Sequence, residues 1–242
     1  MKVKKETTLF YFCIYIFYFF NFLNFLYSCI FLANFKCLAS VFFGGSFCKP
    51  PTCDVDVHVT KTVSSCMNQL VQLVELNIFW IAKTLFLLIN SFVFSKLFYC
   101  SSVWGNTSKR NLHKLQLVQN FASRVVLGLK KFDHISQGRR SLKWLDVTEK
   151  VLFNDLVLVF KCVNGLAPDC LGRYFLKCSA VHNKNTRGCN NFVVPRCRLS
   201  MGQRAFYFLG PKEWNGLPDN IRNTKDIDSY KRRLFNKIFH TK

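Results

Sequence analysis

The side chains with the clearest capacity for chemistry are cations. Lys109, Arg110, Lys114, Arg124, Lys130, Lys131, Arg139, Arg140, Lys143, Lys231, Arg232 and Arg233 could neutralise phosphates without reading bases. Other sets of chemical residues are weaker. Cys162, Cys170, Cys178, Cys189 and Cys197 cluster around His182, but seven to ten residues separate successive cysteines and no C-x-x-C pair occurs, which removes the strongest zinc signal. Asp54 and Asp56, with Cys53 and His58, match no ligand spacing either. His134 could serve as a base, yet the sequence places no nucleophile or orienting acid beside it. Asp226-Ile227-Asp228 is the nearest approach to the paired carboxylates that hold two metal ions for phosphoryl transfer. It sits at an expected helix start, where capping is the ordinary explanation. P-loop, Rossmann, G-x-S-x-G and H-E-x-x-H motifs are all absent from the sequence. The expectation is a protein that is not an enzyme, with no cofactor, no metal and no small-molecule substrate.

The charge balance is uneven along the 242 residues. The whole chain carries +21, and from Lys109 onward 26 Lys and Arg stand against 9 Asp and Glu, a local balance of +17. Such an excess attracts polyanions, either nucleic acid or anionic lipid, without specifying which. Half of the residues are hydrophobic and 16% are aromatic, enough apolar material for a core.

Those cations need elements to position them, and the leading one is basic and amphipathic. Within Tyr99 to Lys131, Ser108 is placed to cap a helix over 109–128. Leu112, Leu115, Val118, Ala122, Val125 and Val126 recur at helical spacing, with Phe121 beside them, while Lys109, Arg110, Lys114 and Arg124 lie largely off that stripe. Burying six such side chains contributes on the order of 10 kcal/mol gross, most of it offset by ordering entropy. The stripe must therefore dock, and helices over Thr60–Val74 and Ala82–Cys100 are the expected cover. Asp146 and Glu149 form an acidic capping box opening a helix through Cys162, which Gly165 and Pro168 end. A short helix near Leu171–Phe175 and a polar loop over 177–191 follow. Phe192–Leu199 and Arg204–Leu209 read as a β-hairpin, with Pro195 on an edge strand. GPKEWNGLPDNIR reads as a compact turn anchored by Trp214 and Leu217. Asp226 or Asp228 caps a last helix through Phe239.

Residues 1–57 differ in kind. Lys2, Lys4 and Lys5 precede an uncharged run whose heart, Leu9–Ala33, is 25 residues long. As a helix it would rise roughly 37 Å, enough to span a hydrocarbon core of about 30 Å. Three readings stay open: a membrane span, a cleaved signal peptide ending near Ala39, and translation of sequence never selected as protein. The location follows from that choice: membrane if Leu9–Ala33 spans, nuclear or cytoplasmic otherwise. An alternative function, a single-span membrane protein with a basic C-terminal domain, rests on this run alone.

An ordered set of blocks carries a family resemblance: LFYCSSVWGN (97–106), KLQLVQNFASRVV (114–126), LKWLDV (142–147), KCVNGLAPDCL (161–171), GQRAFYFLGPKEWNGLPDNIR (202–222) and SYKRRLFNKIF (229–239). Together they resemble the region C-terminal to the reverse transcriptase domain of LINE-type, jockey-like non-LTR retrotransposons, over about residues 58–242. The resemblance implies a helical region at and after the polymerase thumb, holding template RNA or an RNA–DNA hybrid, with the endonuclease and catalytic palm upstream. No Asp-Asp pair of the palm kind occurs in this sequence. The resemblance therefore implies a non-catalytic remnant of an RNA-directed DNA polymerase. Cys170 departs from the pattern, standing where an aromatic is expected, and the hydrophobic leader has no counterpart. The expected fold is mainly α: a hydrophobic N-terminal helix, then a small helical domain over 58–242 with a short β-hairpin near its C-terminus.

Overall fold

A computed structural model describes residues 55–76, 82–181 and 188–240, apart from the Met201 side chain. The hydrophobic leader, including Leu9–Ala33, and His182 lie outside these residues. Among the described residues the chain is helical: α1 Val55–Leu76, α2 Ala82–Leu88, a π-helical stretch Ile89–Phe94, α3 Ser95–Leu97, α4 Ser101–Trp104, α5 Lys109–Leu127, α6 Ile135–Ser141, α7 Val147–Val163, α8 Asp169–Gly172, α9 Cys178–Val181, α10 Ser200–Gln203, α11 Phe206–Asn215, α12 Asp219–Arg222 and α13 Ile227–His240. None of these helices is long and apolar enough to cross a membrane.

Two apolar clusters form, and α7 belongs to both. The first gathers Leu70 of α1, Leu85 of α2, Ile89 and Val93, the α5 stripe of Leu115, Val118, Ala122 and Val126, and Val147 and Val151 of α7. The second begins one turn further along α7 with Leu156, Val159 and Phe160, and adds Phe175, Phe192, Phe206, Trp214, Tyr230 and Leu234. The expected cover of the α5 stripe is therefore present. It starts earlier than the sequence suggests: Val55–Val59, which alternates like a strand, is already the first turn of α1. The cap of α5 holds as expected, with Ser108 Oγ accepting from Asn111 N at 3.4 Å. The buried Asn111 amide also donates to Thr107 Oγ1 at 2.7 Å and to Asp56, tying the start of α1 to the start of α5.

The capping box at Asp146 and Glu149 opens α7, with Glu149 Oε2 accepting from Asp146 N at 2.9 Å. Two glutamines of α5 hold the same junction. Gln116 Oε1 accepts from Val147 N at 2.9 Å, and Gln119 Nε2 donates to Leu145 O at 2.7 Å. At the far end Gly165 adopts φ +68°, and Leu166 N reaches back to Lys161 O at 2.8 Å, a Schellman closure that needs the left-handed region.

The β-hairpin is absent among the described residues, where the one bridge pairs Lys177 with Phe192. Arg204–Leu209 fails as a strand because its burial follows a helical period. Phe206, Gly210 and Trp214 are buried at four-residue spacing on α11, with Pro211 inside that helix. A Cβ on Gly210 would lie 3.1 Å from Val159 Cγ2, so the missing side chain lets α11 approach α7 closely. GPKEWN is thus the second half of a helix, capped by Gly216, rather than a turn. Among the described residues only the start of Phe192–Leu199 pairs, with Val193 N donating to Leu176 O at 2.9 Å beside the bridge. Asn215 supplies part of what a strand would: its Oδ1 accepts from Phe192 N and its Nδ2 donates to Phe192 O, both at 2.8 Å. Trp214 and Leu217 do anchor the segment in the core.

Candidate nucleic-acid interface

The cations divide into free and committed groups. On α5 the apolar stripe is buried, which turns Lys109 and Arg110 out to solvent. Neither has a carboxylate partner among the described residues. Both lie in the first turn, which holds no acidic residue. Cations there oppose the helix dipole, at about 0.3–1 kcal/mol each. Lys114 and Arg124 lie half-buried on the same outer side. Lys114 Nζ donates to Thr60 Oγ1 at 3.4 Å, and Arg124 Nε is covered and unpartnered. Lys130 and Lys131 follow α5 in an exposed loop, with Lys131 5.8 Å from the centre of the open Phe132 ring.

Arg139 and Arg140 are committed elsewhere. Arg139 is buried, its Nη2 lies 2.7 Å from Asp146 Oδ1, and its Nη1 donates to Asn120 Oδ1. Arg140 lies 3.8 Å from Glu149 Oε1, donates to Phe239 O and stacks 5.0 Å from the Phe239 ring centre. These two arginines pin α6 to α5, α7 and α13 rather than offering open charge. On α13, Lys231 pairs with Asp228 at 3.3 Å and Arg233 donates to Asn220 O at 2.6 Å. Arg232 donates to Ser229 Oγ at 3.3 Å and stays exposed.

Lys143 occupies a distinct place. It closes α6 at φ +55°, with Trp144 N bonding Arg139 O at 3.0 Å. This is a Schellman closure with lysine at the position that glycine ordinarily takes. Beside it runs a groove of about 640 Å³ bounded by Phe86, Phe98, Lys143, Trp144, Lys150 and Phe235. Trp144 forms its floor, stacked on Phe86 at 5.4 Å and edge-on to Phe94 at 4.6 Å, and its indole N–H is covered and unpartnered. A chain of rings and cations leads away from it. Lys150 Nζ sits 4.7 Å from the Phe153 ring centre, Phe153 meets Phe235 edge-on at 6.5 Å, and Phe235 stacks on Phe239 at 5.4 Å, under Arg140. Burial lowers the Lys150 pKa. Sequence reasoning missed Lys150, Phe86, Trp144 and Phe235 as a set. The Lys150–Phe153 and Phe235–Phe239 spacings were visible, but nothing local brings them together.

The remaining candidates do not converge. Cys162, Cys170, Cys178, Cys189 and Cys197 are free thiols, and burial pushes Cys162 up to about 11. Among the described residues no three of His, Cys, Asp and Glu gather to hold a metal. His134 is exposed just before α6, and its side chain makes no capping bond. Asp226 caps α13, accepting from Ser229 N at 2.8 Å, and that bond holds its carboxyl below the usual value. On the other side of α7 a cavity of about 150 Å³ is lined by Asp155, Ser102, Glu213 and Arg204 among apolar neighbours. Burial raises the Asp155 carboxyl to about 7 against a lowering bond from Ser102, and its Oδ1 is unpartnered.

No family model, curated protein or solved structure matches this chain.

Proposed function

We propose that this chain is a non-catalytic remnant of the C-terminal region of a LINE-type retrotransposon RNA-directed DNA polymerase, retaining sequence-independent binding to RNA or an RNA–DNA hybrid. The resemblance of the ordered blocks supports the origin. Their residues also do coherent architectural work. Gln116 and Gln119 hold the start of α7, Gly165 turns its end, and Trp214 and Asn215 anchor the segment around Phe192.

One observation carries the binding reading: Lys109 and Arg110 sit exposed in the first turn of α5, unpaired with any described carboxylate and opposed to the helix dipole. That placement costs stability, so its purpose lies outside the fold. Partly available cations on Lys114 and Arg124 extend the same side, and Lys130, Lys131, Lys143 and Arg232 add exposed charge. Such charge neutralises phosphates and releases counterions, which gives affinity without sequence preference. Filter binding of single-stranded RNA to the full chain, across a salt series, tests this. The expected result is a linear fall of log K with log salt, at about −0.7 per phosphate neutralised. A flat response, or no binding at low salt, contradicts it.

A further inference from the structure

We propose that the groove between α2, the α6–α7 turn and α13 holds an unpaired base of a single-stranded nucleic acid, with Lys143 and Lys150 on its flanking phosphates. This rests on the nucleic-acid reading above and goes beyond it, because phosphate contacts alone would not distinguish a splayed base from a duplex.

The chemistry of the lining selects the occupant. The groove's charged groups are two lysine ammonium groups, Lys143 and Lys150, and the Trp144 N–H is covered beneath its floor. The amide nitrogens of the lining are already engaged, since Gln119 Nε2 donates to Leu145 O and Asn90 Nδ2 to Phe86 O, which leaves Asn90 Oδ1 as an acceptor. No carboxylate lines it. The nearest acids on the same helix turn, Asp146 and Glu149, face Arg139 and Arg140. The matching ligand therefore has an apolar, flat body and anionic, acceptor-rich ends. A nucleotide has both. Aromatic walls with interspersed cations form the usual platform for single strands, because every base presents a π-face. A volume of about 640 Å³ also falls in the ordinary range of ligand clefts.

The backbone at Lys143 points the same way. A left-handed lysine is a strained choice where glycine would serve the turn better. Strain of this kind collects at binding sites, where a side chain is kept despite its conformational cost. Here the retained side chain is a cation at the lip of the groove. The Arg140–Phe239–Phe235–Phe153–Lys150 succession continues the platform across α13 and α7.

The test compares a 12-nucleotide uridylate RNA with an abasic strand of equal length, each titrated against the full chain by fluorescence anisotropy. Equal phosphate number makes the electrostatic attraction equal. The expected result is affinity about tenfold or more weaker for the abasic strand, with the difference shrinking in Phe235→Ala. Because that variant could loosen α13, Lys143→Gln serves as a second; its surface position leaves the fold intact, and it should weaken the uridylate strand more than the abasic one, because only a base seated in the groove brings its flanking phosphates to Lys143. Equal affinity for the two strands overturns the groove proposal and leaves phosphate binding standing. Absence of binding by both overturns the two together.

Discussion

Up to Val151 the molecule is held by helices of up to 22 residues that bury apolar stripes; beyond Leu156 most helices are a single turn and rings do the holding. In the first region α1 and α5 lie against each other, and the buried Asn111 is a polar side chain that joins them, through Asp56. In the second, Phe160 stacks on Tyr230 at 4.2 Å, Trp214 lies 5.9 Å from Tyr230 and Phe192 5.9 Å from Trp214, and Tyr230 Oη donates to Leu156 O at 3.1 Å. The contrast teaches how two short-range rules fail differently. A long stripe distributes its burial over many methyl groups, so no single one decides. A loop-rich core concentrates burial in a few rings, so each one matters more. Helix α7 bridges the two regimes, and both clefts lie where they meet.

The sharpest way to break that contrast is to remove one ring. Phe160→Ala should cost about 3–5 kcal/mol, read as a shift in the urea midpoint at constant m-value. Hydrogen exchange should then show protection lost across 206–240 while the amides of α5 remain slow. Uniform loss in both regions would mean that they form one cooperative unit.

A second probe uses pH at the junction. The Asp155 carboxyl is raised from 3.8 to about 7 by burial, in a cavity that it shares with Glu213 and Arg204. The folded state therefore keeps a proton that the unfolded chain loses near pH 4. Stability from this group is fully present below pH 4 and is lost as pH rises through 7, amounting to roughly 4 kcal/mol at most for a shift of this size. Asp155→Asn removes the titration, so its advantage in thermal midpoint should be small at pH 4 and grow steadily to pH 8. An advantage independent of pH would contradict this.

The smallest effect on stability carries more for function. Lys143→Gly relieves a left-handed lysine and should stabilise the fold by about 1 kcal/mol while weakening single-stranded RNA. A variant that gains stability and keeps full affinity would make Lys143 an incidental turn residue.

Much of the first region could be read from the sequence. Ser108, the Asp146–Glu149 box and Gly165 work by contacts within about five residues, and the Leu115–Val126 stripe shows in the periodicity of its own helix although its cover is distant. The second region resisted because its signals conflict. Pro211 and Gly210 suggest a turn, yet Gly210 is needed for the approach of α11 to α7, and the helix tolerates Pro211. Phe192 looks like a strand residue, but an asparagine 23 positions later holds its backbone. The candidate interface is half legible for the same reason. Lys109 and Arg110 are exposed by the periodicity of their own helix. Arg139 and Arg140 look equivalent to them in sequence, and only the fold shows Arg139 buried against Asp146 and Arg140 set between Glu149 and the Phe239 ring. The groove joins residues from α2, the π-helical stretch, α3, α5, α7 and α13, and no local pattern could have assembled it.

The account turns on the free cations of α5 being there to meet phosphate. The direct measurement is the salt dependence of single-stranded RNA binding for the full chain and for the triple variant K109Q/R110Q/K114Q, with thermal unfolding recorded on both. The predicted result is an unchanged or slightly higher unfolding temperature and a salt slope shallower by about 2, from about 0.7 per lost contact. The same slope in both proteins would contradict it.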